Sequence, residues 1–140
     1  MHIVGLLMAL LMMTSEQISA GDKFQELINC NLHAGPCTQK LSEQPVILEV
    51  APRPVKAMQD LAFKVRLNEK LPPNTKLPYI DLGMPGMNMG PNRVLLKFTG
   101  NATYEGRGVI VRCPSGRRTW RATVTIPDVG HTDFIFDVIY

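Results

Sequence analysis

Three methionines fall within six residues of one another: Met84, Met87 and Met89, in the segment DLGMPGMNMGPN. A thioether sulfur is neutral and polarizable, so a group of them selects a soft cation such as cuprous copper over hard divalent ions. Thioethers need no deprotonation and, unlike thiols, cannot be locked into a disulfide. Methionines that fill core gaps sit on strands and helices, whereas Gly83, Pro85, Gly86, Gly90 and Pro91 mark this segment as a loop. Three flexible apolar side chains on an exposed loop gain little burial, and a trigonal soft site accounts for them. His131, or Cys113 when reduced, is a candidate fourth ligand, and His33 is more remote in sequence. The competing reading has the same methionines cap an open end of the fold or contact a partner.

Cys30, Cys37 and Cys113 are the only cysteines. The first two stand in CNLHAGPC, where Gly35-Pro36 supplies a turn able to bring them together. A disulfide between them suits an oxidising compartment, although the odd count also admits a pairing of Cys113 with either. The spacing matches no zinc motif. Arg107, Arg112, Arg117, Arg118 and Arg121 form a basic group around an expected hairpin. No aromatic residues interleave with them to stack bases, so nucleic acid is not the partner they point to. Arg117 and Arg118 instead mark a surface for an acidic partner. There is no nucleophile elbow, zinc-binding His-Glu helix or phosphate-cradling glycine loop, and the chain reads as a non-enzyme.

The elements that must carry these residues are strands. Leu61, Phe63, Val65 and Leu67 alternate with Ala62, Lys64 and Arg66, and Trp120, Ala122, Val124 and Ile126 alternate with Arg121, Thr123 and Thr125. That period of two marks half-buried strands. Further strands are expected over 46–50, 77–82, 94–98, 104–113 and 134–138, with turn signals between them. A short helix is expected over 22–27 and a polar loop over 29–43. About seven short strands without an intervening amphipathic helix predict an all-β fold, an antiparallel sandwich with Trp120 between the sheets.

The N-terminus reads differently. IVGLLMALLMM, residues 3–13, is an uncharged apolar run followed by a polar stretch that ends at Ala20. It is too short to cross a bilayer and has the form of a signal peptide over residues 1–20. Every Lys and Arg lies after residue 22. The remainder divides into an N-terminal segment, 21–44, with the Cys pair, and a sandwich over 45–140. This organisation predicts a periplasmic or secreted protein with no stable membrane span after cleavage. The formal charge of +3 on 140 residues says nothing about nucleic acid, and 45% hydrophobic content suits one folded domain.

The stretches CNLHAGPC, PRPVKAMQDLAFKVRL, DLGMPGMNMGPNRVLLKF and YEGRGVIVRCPSGRRTWRATV occur in an order that resembles the YtkA-like (FixH-related) family of bacterial envelope domains. The resemblance covers most of residues 30–126. It implies an immunoglobulin-like β-sandwich with a methionine-rich loop, copper(I) as cofactor, and partners in copper handling or oxidase assembly. It places Met84, Met87 and Met89 at the metal position and Cys30, Cys37 and Cys113 at the family's cysteine positions. The cleavable N-terminus departs from the membrane-anchored members.

Overall fold

Alternation of apolar and polar side chains resolves into strands whose inner faces meet. The structure, a computed structural model, describes residues 22–140, so the expected signal peptide lies outside the described residues. Among these residues the strands are β1 (Cys37–Leu41), β2 (Gln44–Ala51), β3 (Leu61–Leu67), β4 (Tyr79–Gly83), β5 (Arg93–Leu95), β6 (Lys97–Gly100), β7 (Thr103–Gly108), β8 (Thr119–Ile126) and β9 (Gly130–Asp137). They form a five-stranded sheet ordered β1-β2-β3-β7-β6 and a four-stranded sheet ordered β5-β4-β8-β9. Every strand pairing is antiparallel. The order β2-β3-β7-β6 facing β9-β8-β4-β5 reproduces the immunoglobulin arrangement ABED against GFC, with β5 as C′ and β1 as an added edge.

The two alternating stretches seen in the sequence supply the core. On β3, Leu61, Phe63 and Val65 are fully buried, and on β8 so are Trp120, Ala122 and Val124. Phe134 and Phe136 of β9 and Tyr104 of β7 pack with them. Each large apolar side chain so buried contributes about 1.5–3 kcal/mol relative to exposure.

Four local expectations are corrected. The polar loop over 29–43 contains β1, which pairs with β2 from Cys37 opposite Leu48 to Leu41 opposite Gln44. The segment 21–44 therefore contributes an edge strand to the sandwich. The single strand expected over 94–98 is two strands in different sheets, and the chain crosses between them at the buried Leu96. The long strand over 104–113 stops at Gly108, and the expected helix over 22–27 is one 3-10 turn, Gln25–Leu27. Close approach explains a glycine in β7: a Cβ on Gly106 would lie 2.2 Å from the Leu95 carbonyl oxygen.

Register fixes which loops share an end of the sandwich. Leu61 lies opposite Gly108, Gly83 opposite Arg121, and Thr119 opposite Asp137. Residues 52–60, the methionine segment, residues 109–118 and residues 138–140 therefore emerge together.

Candidate functional site

Met84-Pro85-Gly86-Met87 forms a tight turn closed by the Met87 N–H donating to the Met84 carbonyl at 3.2 Å. Gly86 has φ +72°, as the third position of a type II turn with proline at the second requires. Met84 and Met87 form an antiparallel bridge, and directly opposite residues on such a ribbon carry their side chains on one face. Met84 continues the inward alternation of Ile80 and Leu82, and all three are buried, Met84 at 0% exposure. Met87 and Met89 are partly buried against the same core. They also line an open depression of about 530 Å³ on the four-stranded sheet, shared with Asp81, Arg93, Arg121 and Thr123. The three methionines are thus unequal: one is enclosed and two face the depression.

The turn is held from its outer side by residues distant in sequence. Arg117 donates from Nη2 to the Pro85 carbonyl, and its guanidinium stacks 4.3 Å from the centroid of the Phe24 ring. A Cβ on Gly86 would stand 2.4 Å from Phe24 Cζ, so this position needs glycine for space as well as for φ. Asp22 accepts from the N–H of Phe24 and the N–H of Thr119, both at 3.0 Å, and lies 3.7 Å from Arg117 Nε. Burial works to raise the Asp22 pKa, but the hydrogen bonds from Thr119 and Phe24 and the Arg117 charge outweigh it and hold the carboxyl below its ordinary range.

Arg117 was expected on a partner surface. Its side chain is only 19% exposed and committed to these contacts, so that expectation is corrected. Arg118 is exposed, as a surface role requires. Local sequence carries no sign of the Arg117 contacts, because Asp22 and Pro85 come from opposite parts of the chain.

Cys30 and Cys37 form a disulfide with Cα atoms 5.7 Å apart, and Cys113 is a free, buried thiol. This pairing is compatible with an oxidising compartment. The Cys113 sulfur lies 3.0 Å from the Ser115 hydroxyl, in the same loop that carries Arg117 to the methionine turn. That hydrogen bond, opposed by burial and assisted by Arg117, draws the thiol below its ordinary pKa. Cys113 and the methionines therefore occupy one end of the sandwich.

His131 does not join them, whereas His33 reaches this end through Val55 and Asp137. His131 lies opposite Thr125, whereas the methionine segment begins beside Arg121, about 13 Å away along β8 at the usual rise per residue. The expectation of His131 as a ligand of the loop is thereby corrected. His33 accepts the Val55 N–H at Nδ1 and sits 3.4 Å from Asp137, in the disulfide-bonded segment. Among the described residues no three His, Cys, Asp or Glu side chains gather to hold a metal ion, and no helix is long and apolar enough to cross a membrane. Comparison with protein-family models, curated proteins and solved structures gives no match to this chain.

Proposed function

We propose that this chain is an exported, non-enzymatic accessory protein of the cell envelope that binds one cuprous ion through Met84, Met87 and Met89. Its role is carriage, sequestration or delivery to oxidase assembly, as the resemblance to YtkA-like domains implies. The observation that carries the reading is the turn: it sets Met84 directly opposite Met87, with Met89 two residues further along. Met87 and Met89 line one depression, and a three-sulfur site forms when the enclosed Met84 thioether turns outward to join them. The enclosed Met84 favours entry of the ion from the depression that Met87 and Met89 line. A soft, neutral donor set suits cuprous copper and disfavours zinc or magnesium.

Competition against a chromogenic cuprous chelator under reductant tests this reading. The wild-type protein is expected to withdraw one equivalent of copper, and the variant Met84→Leu/Met87→Leu/Met89→Leu none. The replacement roughly preserves apolar volume, so the melting temperature of the metal-free variant should stay close to that of wild type. Undiminished binding by the triple variant would remove the proposal. Cys113→Ser in parallel separates thioether from thiolate binding.

A further inference from the structure

The end of the sandwich that carries the methionine turn also presents four exposed aliphatic side chains. Met58, Val109, Val111 and Ile139 are 65%, 38%, 40% and 38% exposed. They come from three separate segments that the backbone ties together. The Met58 N–H donates to the Ile110 carbonyl at 2.8 Å, the Ala57 N–H to the Ile139 carbonyl at 2.8 Å, and the Ile139 N–H to the Val55 carbonyl at 3.0 Å. These groups satisfy one another, so the patch offers side chains rather than an open strand edge.

Cations ring it. Lys56 bridges to Ile139 in the backbone, Arg112 lies over the Tyr140 ring at 5.5 Å, and the Arg118 carbonyl accepts the Val138 N–H at 3.0 Å. All three are exposed and, among the described residues, none forms an ion pair. Among the described side-chain carboxylates of this end, Asp60 pairs with Arg107 at 2.6 Å, Asp22 with Arg117, and Asp137 lies beside His33. None of these described carboxylates pairs with Lys56, Arg112 or Arg118.

We propose that this end docks the protein peripherally onto an anionic lipid surface, with Met58, Val109, Val111 and Ile139 entering the headgroup boundary and Lys56, Arg112 and Arg118 meeting the acidic headgroups. One feature of the patch favours lipid over an acidic protein. Exposed aliphatic tips from several loops, ringed by cations, need no shape-matched partner and gain from apolar burial plus surface potential together. The proposal does not depend on copper binding.

Co-sedimentation of the full chain with two kinds of vesicle tests it: phosphatidylglycerol in phosphatidylethanolamine, and phosphatidylcholine alone. The readout is the difference between the two, because any apolar N-terminal run still attached adds to both. Preferential binding to the anionic vesicles is expected, weakening with added salt. Lys56→Glu/Arg112→Glu/Arg118→Glu should reduce anionic binding by more than about 100-fold, the loss that removing three basic charges alone predicts. Met58→Ser/Val111→Ser should weaken it while keeping the preference. If the charge-reversed protein fails to fold, Lys56→Gln/Arg112→Gln/Arg118→Gln replaces it, with a smaller loss in the same direction. Equal binding to both vesicles, or a preference that survives loss of these cations, overturns the proposal. Salt-sensitive binding to polyglutamate without vesicle binding also overturns it and assigns the surface to an acidic polypeptide.

Discussion

The two ends of the sandwich are held by different means. At the end opposite the methionine turn, backbone conformation closes two hairpins, and the 68–78 connection is tied by the Leu71 N–H donating to the Tyr104 hydroxyl at 3.0 Å. Ser42 and Glu43 link β1 to β2 with φ 47° and 66°, and Asn101 and Ala102 link β6 to β7 with φ 49° and 56°. Both are two-residue turns of the mirror-image type that suits hairpin twist. An open pocket of about 280 Å³ lies there, lined by Leu41, Val46, Leu67, Leu71, Ile126 and Val129 with the polar Ser42, Gln44, Asn68 and Glu69 at its rim. At the methionine end none of the described connections is a two-residue hairpin, and side chains fix them. The Tyr140 hydroxyl alone accepts from the Cys113 N–H and from Trp120 Nε1, both at 3.2 Å, and donates to the Arg117 carbonyl. One end thus depends mainly on turn geometry, and the other on a few polar atoms placed far apart in sequence. The candidate chemistry lies at the second.

If that contrast holds, removing one oxygen should loosen a single end. Tyr140→Phe keeps the ring and deletes the hydroxyl. Trp120 is fully buried, so its indole N–H would lose its partner in the interior. The expected cost is about 2–3 kcal/mol, measured by urea denaturation, since unsatisfied buried donors carry their full desolvation penalty. Hydrogen exchange should accelerate at Arg117–Thr119 and stay unchanged at Leu67, whose N–H bonds to Ala102 at the far end. A cost below about 0.5 kcal/mol would mean that the 109–118 loop is held by something other than this hydroxyl.

Asp22 gives a smaller effect with a pH signature. Its folded-state pKa is depressed, so its contribution is fully present above the unfolded value of about 3.9 and fades as pH falls through the lower folded value. Asp22→Asn should therefore destabilise the protein by about 1 kcal/mol at neutral pH, through loss of charge at the Thr119 and Arg117 contacts. The gap between wild type and variant should close below about pH 4, as followed by thermal melts across pH. A gap independent of pH would place the effect in amide packing.

Much of this fold was legible because it rests on period-two patterning. β3 and β8 lie where alternation places them, and Trp120 sits between the sheets as that alternation requires. β1 was hidden because an edge strand buries one flank only, and CTQKL has little apolar content to announce it. The sheet crossing at Leu96 was hidden because RVLLKF reads as one run, although Leu95 is 71% exposed and its neighbour is buried. The methionine cluster was visible as composition, and Pro85-Gly86 already named the turn. The burial of Met84 was also written there, since Ile80, Leu82 and Met84 extend one alternation into the segment taken as an exposed loop. Arg117 was beyond sequence: its partners come together only once both sheets are assembled.

The other end of the comparison is sharpened by a change that should stabilise. Ala102 holds φ 56°, a left-handed conformation that costs a residue with a Cβ roughly 1–2 kcal/mol relative to glycine. Ala102→Gly removes that penalty but gives the unfolded chain more freedom to lose on folding, which offsets about 0.5–1 kcal/mol. The net expectation is a gain of about 0.5–1 kcal/mol, raising the melting temperature by a few degrees. The Ala102 carbonyl would still accept the Leu67 N–H, so the tie between this turn and the end of β3 is retained. Cuprous binding and vesicle preference should not change, because both are assigned to the far end. Stabilisation that also altered copper affinity would show that the ends are coupled through the sheets, and the division between a backbone-closed end and a side-chain-held end would fail.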